Sequence, residues 1–213
     1  MHRDSSRIRV VPVTRRGSLA AAAAVIERGG VLAFPTETVY GLGVRADDPA
    51  AHRRLRRLKR RTPGAPFQRL VSGADRAMEM CGRWPDAAAV LARAFWPGPL
   101  TMVIRARRGG WIGFRVPDHT VSLALLRRVG GCLVATSANI SGHPPARDAA
   151  GVLRQFPSGI DMVLDGGPVP IGRASTVVRI YASGWAPIRE GAIPLEKIRA
   201  LLGRERRIMR RSR

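Results

Sequence analysis

The sequence predicts a single α/β domain in which helices flank a twisted, mixed and open β-sheet. Short apolar runs alternate with amphipathic segments along the whole chain, which is typical of strands that alternate with helices. Apolar residues make up 45% of the 213 residues, enough for a sizeable core. No internal repeat and no shift of composition marks a linker between two domains. One continuous domain is therefore expected.

The predicted helices follow from capping residues and from apolar positions that share one face. Ser18 can cap the first helix, and two glycines follow its end. In the second helix Ala51, Leu55 and Leu58 are spaced i, i+4 and i+7, and arginines cover the rest of the circumference. Pro194 suits the first turn of the last helix. In chain order the helices are expected at Leu19–Arg28, Arg53–Lys59, Asp86–Phe95, Val121–Val129, Arg147–Phe156 and Pro194–Leu202.

The predicted strands are short apolar runs bounded by turn residues. Pro35 stops the run VLAF, and a basic, glycine-containing turn separates LTMVIRA from WIGFRV. Strands are expected at Val31–Phe34, Leu100–Ala106, Trp111–Val116, Cys132–Thr136, Asp161–Gly167, Ser175–Tyr181 and Trp185–Glu190. Functional residues are expected in the loops at the ends of these strands.

The formal net charge of +22 favours polyanionic partners but does not specify a fold. Much of this charge lies in the run of arginines and lysine from 53 to 61 and in the last eleven residues. We therefore divide the chain into a basic N-terminal segment (1–17), a folded domain (18–202) and a basic tail (203–213). Like-charged tails of this kind are expected to be disordered.

Cysteines and apolar runs indicate a cytoplasmic protein without a membrane segment. Cys81 and Cys132 lack the spacing of metal ligands or of a disulfide framework, so reduced thiols are expected. No apolar run has the length of a membrane span. The alanine-rich run at 19–26 ends in Glu-Arg-Gly-Gly, which is typical of a helix C-terminus rather than of a signal peptide.

Three segments carry polar residues that admit two interpretations each. In FPTETVYGLG, Thr36 could bind a small polar ligand, but the local sequence favours a capping turn with Glu37 facing solvent. In TSANISG, Ser137 and Asn139 could bind one ligand together, but a local Ser or Asx turn is again favoured. Arg115 lies on an otherwise apolar strand, where either a ligand anion or a structural acidic partner would satisfy it.

The order of the motifs is more specific than any one of them. The series AFPTETVYGLG, LKRRTPGAP, FWPGPLTMVI, FRVPDH, ATSANISG, DMVLDGG, ASTVVRI and IREGAI resembles the YrdC-like family of threonylcarbamoyl-AMP synthases, in the form that lacks an additional C-terminal domain. The resemblance covers about residues 18–202. It implies a YrdC-like fold around a deep, basic cavity. It also implies a nucleotidyltransferase that condenses L-threonine, bicarbonate or CO₂ and ATP to threonylcarbamoyl-AMP and pyrophosphate.

The resemblance further implies roles for individual residues. Lys59 and Arg61 match a lysine-x-arginine signature and are expected to act on the triphosphate as the catalytic cations. Thr36 and Ser175 match residues expected to contact threonine. Further nucleotide contacts are expected at Thr101, Arg115, Ser137, Asn139, Arg147 and Arg189. For Arg189 a plain position on a surface strand is the alternative.

The expected substrates are ATP, L-threonine and bicarbonate, and Mg²⁺ is expected to be held mainly by the ATP phosphates because no metal-ligand cluster is visible. The product would supply proteins that transfer the threonylcarbamoyl group to adenosine 37 of tRNA. The remaining arginines of the 53–61 run are expected to form a solvated helix face, with tRNA docking as an alternative role. A paralogue that binds double-stranded RNA or tRNA without synthase activity is the second interpretation. The intact signatures favour the enzyme.

Two segments depart from the family pattern. Thr62 stands between the signature arginine and the next proline, and Phe67 replaces an expected leucine ahead of the polar pair Gln68-Arg69. These changes put the geometry of the two signature cations in question. After SANISG the chain reads HPPARD, so Arg147 is expected to replace a hydroxyl contact.

Overall fold

The computed structural model describes residues 8–62 and 66–211, except for the side chains of residues 204–211. Within these ranges the chain forms ten strands and seven helices. The strands are β1 (Arg9–Pro12), β2 (Leu32–Phe34), β3 (Gly41–Arg45), β4 (Gln68–Val71), β5 (Leu100–Arg105), β6 (Trp111–Arg115), β7 (Cys132–Ser137), β8 (Met162–Asp165), β9 (Thr176–Ile180) and β10 (Trp185–Arg189). The helices are α1 (Ser18–Glu27), α2 (Pro49–Leu58), α3 (Ala74–Met80), α4 (Asp86–Phe95), α5 (Thr120–Arg128), α6 (Ala149–Gln155) and α7 (Leu195–Arg211).

The ten strands form one mixed sheet in the order β1-β8-β2-β3-β7-β4-β6-β5-β9-β10. Both β1 and β2 run parallel to β8, β4 runs parallel to β6, and β5 runs parallel to β9. The other neighbouring pairs are antiparallel. The predicted α/β fold with a mixed open sheet and flanking helices is therefore confirmed.

Opposite faces of the sheet carry different helices, because successive side chains of a strand point to opposite sides. In β8, Val163 packs in a cluster with α2 and α6, whereas Met162 and Leu164 pack in a cluster with α1 and α5. In the other half of the sheet, Met102 and Phe114 pack in a cluster with α3, α4 and α7. The residues that alternate with these two face the opposite side, where the cavity described below lies.

The start of α2 and the cap of α1 differ from the prediction. Helix α2 begins at Pro49 instead of residue 53, because the Asp48 carboxylate accepts from the backbone amides of Ala50 and Ala51 and caps the helix. The predicted cap of α1 is wrong. The Ser18 hydroxyl donates to Val13 O at 2.9 Å instead of capping the helix.

Four elements are not predicted by the sequence: β1, β3, β4 and α3. Strand β1 lies within the basic N-terminal segment and joins the edge of the sheet beside β8.

Helix α7 continues to Arg211, whereas the sequence predicted its end at Leu202. The division of the chain into segments 1–17, 18–202 and 203–213 stays a prediction.

The two cysteines fit the expectation from the sequence, since Cys81 and Cys132 are both free and buried. Burial raises the pKa of Cys81 to about 11, so its thiol is protonated at neutral pH.

Among the described residues, none of the helices combines the length and the hydropathy that a membrane crossing requires.

Candidate functional site

A cavity of about 430 Å³ lies on the sheet face opposite α3, α4 and α7. Its floor consists of alternate residues of four neighbouring strands, which share one face of the sheet. These floor residues are Gln68 and Leu70 of β4, Trp111, Gly113 and Arg115 of β6, Thr101 and Val103 of β5, and Val177 and Arg179 of β9. The loop after β2, the residues around Arg61, the end of β7 and the end of β10 form the walls.

Seven of the ten site residues proposed from the sequence line this cavity. They are Thr36, Arg61, Thr101, Arg115, Ser137, Ser175 and Arg189. The other three, Lys59, Asn139 and Arg147, are not part of the lining. The fold thus brings together residues from strands and loops that lie far apart in the sequence.

Thr36 organises the loop that follows β2. Its hydroxyl donates to Val39 O at 2.7 Å and accepts from the backbone amides of Thr38 and Val39 at 3.2 and 3.3 Å. The local sequence favoured a helix-capping turn in which Thr36 satisfies backbone amides. Thr36 does satisfy them, but the loop leads into strand β3 rather than into a helix. The sequence also predicted that Glu37 faces solvent. This prediction is wrong, because Glu37 is buried, with only 6% of the residue exposed. Thr36 therefore both holds the turn and faces the cavity.

Arg115 pairs with a structural acid. Its Nη2 lies 2.7 Å from Glu37 Oε1 and donates to Thr38 Oγ1 at 2.8 Å, while Nε donates to Gly98 O at 3.1 Å. Neither carboxylate oxygen of Glu37 has a well-aligned hydrogen bond within the described part of the chain. Charge attraction rather than hydrogen-bond geometry therefore dominates this pair. The sequence left two partners open for Arg115, a ligand anion or an acidic side chain. In the structure the acidic side chain of Glu37 is the partner.

Buried hydroxyls occupy the cavity next to Arg115. Thr101 Oγ1 and Ser175 Oγ are 2.9 Å apart, and the Thr101 hydroxyl also donates to Gln68 Oε1 at 3.0 Å. Hydroxyl and amide groups can both donate and accept hydrogen bonds. This part of the cavity can therefore bind a small polar molecule with groups of either kind.

Lys59 lies behind the cavity wall. The residue is 2% exposed, and Nζ donates to Ser137 O at 2.7 Å, to Asn139 Oδ1 at 2.9 Å and to Asn139 O. Burial, followed by the charge of Arg61, lowers the pKa of Lys59 to about 7. The three oxygen acceptors favour the charged amine and oppose that shift. In this structure Lys59 fixes the turn at Ser137–Asn139, and its contact with a triphosphate stays a prediction.

The polar atoms of Asn139 are also engaged within the protein. Its Nδ2 donates to Ile140 O at 2.9 Å and to His143 O at 2.8 Å, and its Oδ1 accepts from the Ser137 hydroxyl at 2.6 Å. The local turn that the sequence favours is thus present. Ser137 nevertheless reaches the cavity lining.

The ring of Phe67 lies between two guanidinium groups. The Cζ atoms of Arg56 and Arg61 lie 5.1 and 5.2 Å from the ring centroid, and Arg61 Nη2 also donates to Pro66 O at 2.9 Å. Such contacts of a cation with an aromatic face are attractive. Phe67, which departs from the family pattern, thus helps to hold Arg61 in the cavity wall.

Several arginines give the cavity lining a positive charge. Burial, followed by the like charges of Arg56 and Arg189, lowers the pKa of Arg61. Arg189 is exposed at the rim and donates through Nη2 to Ser175 O at 2.9 Å. The described lining contains no carboxylate, so a bound anion would relieve the repulsion among these arginines.

One residue proposed from the sequence, Arg147, lies away from the cavity. Arg147 is exposed and lies beside Gly172, where a Cβ would come within 3.1 Å of its Nε. The structure therefore does not bring Arg147 to the other proposed residues. Within the part of the chain that the structure describes, no group of three or more His, Cys, Asp or Glu could hold a metal ion.

Sequence reasoning missed several lining residues, among them Gln68, Phe67, Trp111 and Arg179. A usable signal existed for Trp111. In the strand WIGFR, Trp111, Gly113 and Arg115 are two apart and share one face. Arg115 was already a candidate, so the alternation could have pointed to Trp111.

The chain is similar in sequence to one protein family and to several of its members. The Sua5/YciO/YrdC family model, described as "Telomere recombination", matches residues 24–191. A threonylcarbamoyl-AMP synthase from Pyrococcus abyssi is 37% identical over 193 residues, which cover 85% of this chain and 56% of the relative. Another, from Alkalilimnicola ehrlichii, is 38% identical over 182 residues, which cover 80% of this chain and 95% of the relative.

A solved structure agrees in fold. The crystal structure of P. abyssi Sua5 complexed with L-threonine superposes with a TM-score of 0.85 at 33% identity, covering 92% of this chain and 61% of that one. The chain thus spans little more than half the length of the P. abyssi relative but nearly all of the A. ehrlichii one.

Proposed function

The chain belongs to the Sua5/YciO/YrdC family, and from that premise we propose that it is an L-threonylcarbamoyladenylate synthase. It condenses L-threonine, bicarbonate or CO₂ and ATP to threonylcarbamoyl-AMP and pyrophosphate. Relatives that are named threonylcarbamoyl-AMP synthase support the reaction. The P. abyssi Sua5 structure with L-threonine supports the amino acid.

The observation that carries this proposal is the combination of buried hydroxyls and uncompensated guanidinium groups in one cavity. Thr36, Thr101 and Ser175 offer hydrogen bonds to an amino acid with a hydroxyl side chain. Arg61 and Arg189 offer charge to a polyphosphate. An amino acid and a nucleoside triphosphate are the two substrate classes that such a cavity suits.

In the proposed reaction the neutral threonine amine adds to CO₂ and releases a proton, or adds to bicarbonate and releases water, which gives a carbamate. A carbamate oxygen then attacks the α-phosphorus, and the bond from this phosphorus to pyrophosphate breaks. Negative charge builds up on the phosphate oxygens and the leaving pyrophosphate. Arg61 and Arg189 are already positioned in the wall and stabilise this charge without further reorganisation. Lys59 acts from behind the wall by holding the turn at Ser137–Asn139.

Mg²⁺ is part of the ATP substrate in this proposal. Hard divalent cations prefer oxygen ligands, and Mg²⁺ commonly keeps several waters beside substrate phosphates. Since no carboxylate is found in the described cavity lining, the phosphates and waters supply its ligands.

The residue assignments of the proposal differ in their support. Places in the cavity lining support two sets of contacts. The threonine contacts are those at Thr36 and Ser175, and the nucleotide contacts are those at Arg61, Thr101, Ser137 and Arg189. Arg115 also lines the cavity, but its guanidinium is already paired with Glu37. Nucleotide contacts of Lys59, Asn139 and Arg147 are supported by the family resemblance alone. Lys59 and Asn139 already bond to protein atoms, and Arg147 lies away from the lining.

The test is pyrophosphate release from MgATP and bicarbonate, measured with and without L-threonine. We expect threonine-dependent release from the wild type and a loss of at least about a hundredfold in Arg61→Ala, the size seen when a group that stabilises transition-state charge is removed. Lys59→Ala should also lose activity, because the turn at Ser137–Asn139 is no longer held. Arg57→Ala is the control, because Arg57 is exposed on α2 and outside the cavity. Folded wild-type protein that releases no pyrophosphate with threonine would overturn the proposal.

The wider role also belongs to this proposal. The adenylate is used by proteins that transfer threonylcarbamoyl to adenosine 37 of tRNA, in the cytoplasm, and exposed arginines of α2 contact the tRNA. A module that only binds RNA is less well supported, because the named relatives are synthases and the cavity is lined by hydroxyl groups that backbone binding does not require.

A further inference from the structure

We propose that Gln68 makes the cavity selective for the side-chain hydroxyl of L-threonine. It does so by a direct hydrogen bond and by fixing the direction of the hydrogen bonds at Ser175. The inference rests on the proposed function, because it requires threonine in the cavity. It assigns a role to a residue outside the family signatures, since Gln68 belongs to the polar pair at which this chain departs from the family pattern.

The side chain of Gln68 reaches across a neighbouring strand. Gln68 lies on β4 and Thr101 on β5, and β6 separates these two strands in the sheet. Gly113 of β6 is the ladder partner of Gln68. A Cβ at Gly113 would come within 3.2 Å of Thr101 Cγ2 and 3.5 Å of Gln68 Cβ. Because the glycine leaves this space open, Gln68 Oε1 accepts a hydrogen bond from the Thr101 hydroxyl at 3.0 Å.

The hydrogen bonds that link Gln68, Thr101 and Ser175 form a relay with one direction. A hydroxyl has a single proton, and Thr101 donates its proton to Gln68 Oε1. In the 2.9 Å contact between Thr101 Oγ1 and Ser175 Oγ, Thr101 must therefore accept and Ser175 must donate. Since its proton is committed to Thr101, Ser175 Oγ offers only lone pairs to the cavity. Ser175 is thus a hydrogen-bond acceptor for the ligand.

Gln68 supplies a donor beside this acceptor. Its Oε1 is occupied by Thr101, and its Nε2 makes no hydrogen bond to the described residues. Gln68 is partly exposed in the cavity floor, so the N–H groups of Nε2 are available to a ligand. The donor at Gln68 and the acceptor at Ser175 are separated by one hydroxyl, that of Thr101. The cavity floor therefore carries a linked donor and acceptor.

The hydroxyl is the group of threonine that fits this pair, because a hydroxyl can donate one hydrogen bond and accept another. The carboxylate can only accept, and the arginines of the lining suit it better. The amine must keep its lone pair for the attack on CO₂. Valine has nearly the shape of threonine but no hydroxyl, so it would leave Ser175 and Gln68 without partners. The pair therefore favours amino acids with a side-chain hydroxyl.

The test compares the binding of L-threonine, L-serine and L-valine, measured by calorimetric titration of the whole chain. A neutral hydrogen bond contributes a factor of roughly 2 to 12 in affinity. We expect Gln68→Met, which has a similar length but no amide, to lose this factor for threonine and serine and to bind valine like the wild type. In pyrophosphate release the KM for threonine should rise by the same factor, while the KM for ATP stays unchanged.

Two further variants complete the test. Arg69→Met is the matched control, because Arg69 is the next residue of β4, faces the opposite side of the sheet and lies outside the cavity lining. It should bind the three amino acids like the wild type. Thr101→Val interrupts the relay and serves if Gln68→Met does not fold. Without the Thr101 hydroxyl the proton of Ser175 is no longer committed, so the preference for threonine over valine should fall.

The role of Gln68 is overturned if Gln68→Met binds threonine like the wild type, or if it loses threonine and valine equally. It is also overturned if Thr101→Val keeps the full preference for threonine. These results are distinct from a failure of the proposed function. Threonine-dependent pyrophosphate release that is the same in Gln68→Met and the wild type refutes the role of Gln68 alone. A preference for threonine that depends on Gln68, without any pyrophosphate release, refutes the synthase alone.

Discussion

Two ion pairs of this protein differ chiefly in burial. The side chains of Arg115 and Glu37 are 4% and 7% exposed, whereas those of Arg45 and Asp47 are 49% and 70% exposed. A buried charge that loses its partner remains desolvated without compensation, while an exposed charge is simply solvated by water. Burial should therefore decide what each pair contributes to folding.

We expect Glu37→Gln to lower the free energy of unfolding by about 3–5 kcal/mol, because it leaves the Arg115 guanidinium buried and unpaired. Asp47→Asn is the matched control, with a much smaller expected loss because water solvates the exposed Arg45 guanidinium. Urea unfolding of both variants and the wild type measures the difference. Losses of equal size in the two variants would contradict the expectation.

Lys59 should make stability depend on pH. Its pKa is lowered from the ordinary 10.5 to about 7, chiefly by burial. Between these two values the unfolded chain holds a proton on the amine that the folded chain has released. Protonation therefore favours unfolding in this range, and the contribution of Lys59 to stability rises as the pH rises above about 7.

The comparison that isolates this effect is with Lys59→Met, which has no amine to titrate. Urea unfolding at about pH 7 and about pH 9 should show that the wild type gains more stability, or loses less, than Lys59→Met. Other groups titrate in both proteins, so the difference between the two pH responses reports Lys59. Parallel responses would show that the three oxygen acceptors keep the amine charged throughout.

The sequence predicts which residues meet at the cavity better than it predicts their contacts. Thr101 lies within β5, and Thr36 and Ser175 lie within two residues of β2 and β9, respectively. Lys59 has a long side chain whose acceptor at Ser137 lies 78 residues away. Local sequence cannot show whether such a chain end meets a ligand or a backbone carbonyl.

At the level of elements, α2 presents arginines outward on one stripe. Arg53 and Arg57 are exposed at i and i+4 of α2, while Leu55 on the opposite side is buried. Arg60 is exposed in the turn that directly follows the helix. A stripe of this kind can follow a nucleic-acid backbone by charge alone. It is the surface on which the proposed contact with tRNA depends.

We expect the triple variant Arg53→Ala, Arg57→Ala, Arg60→Ala to bind tRNA more weakly at low salt. Each phosphate contact that is removed should reduce the slope of log K against log salt concentration by about one, so the slope should fall by about three. The control is Arg127→Ala, Arg128→Ala on α5, which packs on the other face of the sheet. Filter binding over a salt series measures both, and an equal change in the two variants would refute the stripe.

Elements with a clear apolar period are predicted from the sequence, and elements fixed by distant partners are not. Helix α4 is predicted with its observed bounds, Asp86–Phe95. Strand β3 contains two glycines and little local signal, yet it is held between β2 and β7. Strand β4 begins with polar Gln68-Arg69, because Gln68 faces the cavity rather than a packed core. Tertiary contacts override local propensity in both strands.

For the whole molecule, the net charge of +22 should oppose folding through self-repulsion. Salt screens this repulsion, since the Debye length falls from about 30 Å at about 0.01 M to about 3 Å at about 1 M. We therefore expect the Tm to rise with sodium chloride concentration over this range. Differential scanning calorimetry measures it, and a Tm that is constant or falls would show that the charges are too dispersed to matter.

The place of β8 in the sheet has a consequence for how the chain folds while the ribosome is still making it. The Val31 amide, directly before β2, donates to Asp161, 130 residues further on, and within the described residues β1 pairs with β8 alone. At about 5–20 residues per second, roughly ten seconds pass between these strands. During that interval the nascent chain presents the apolar run of β2 without its parallel neighbour.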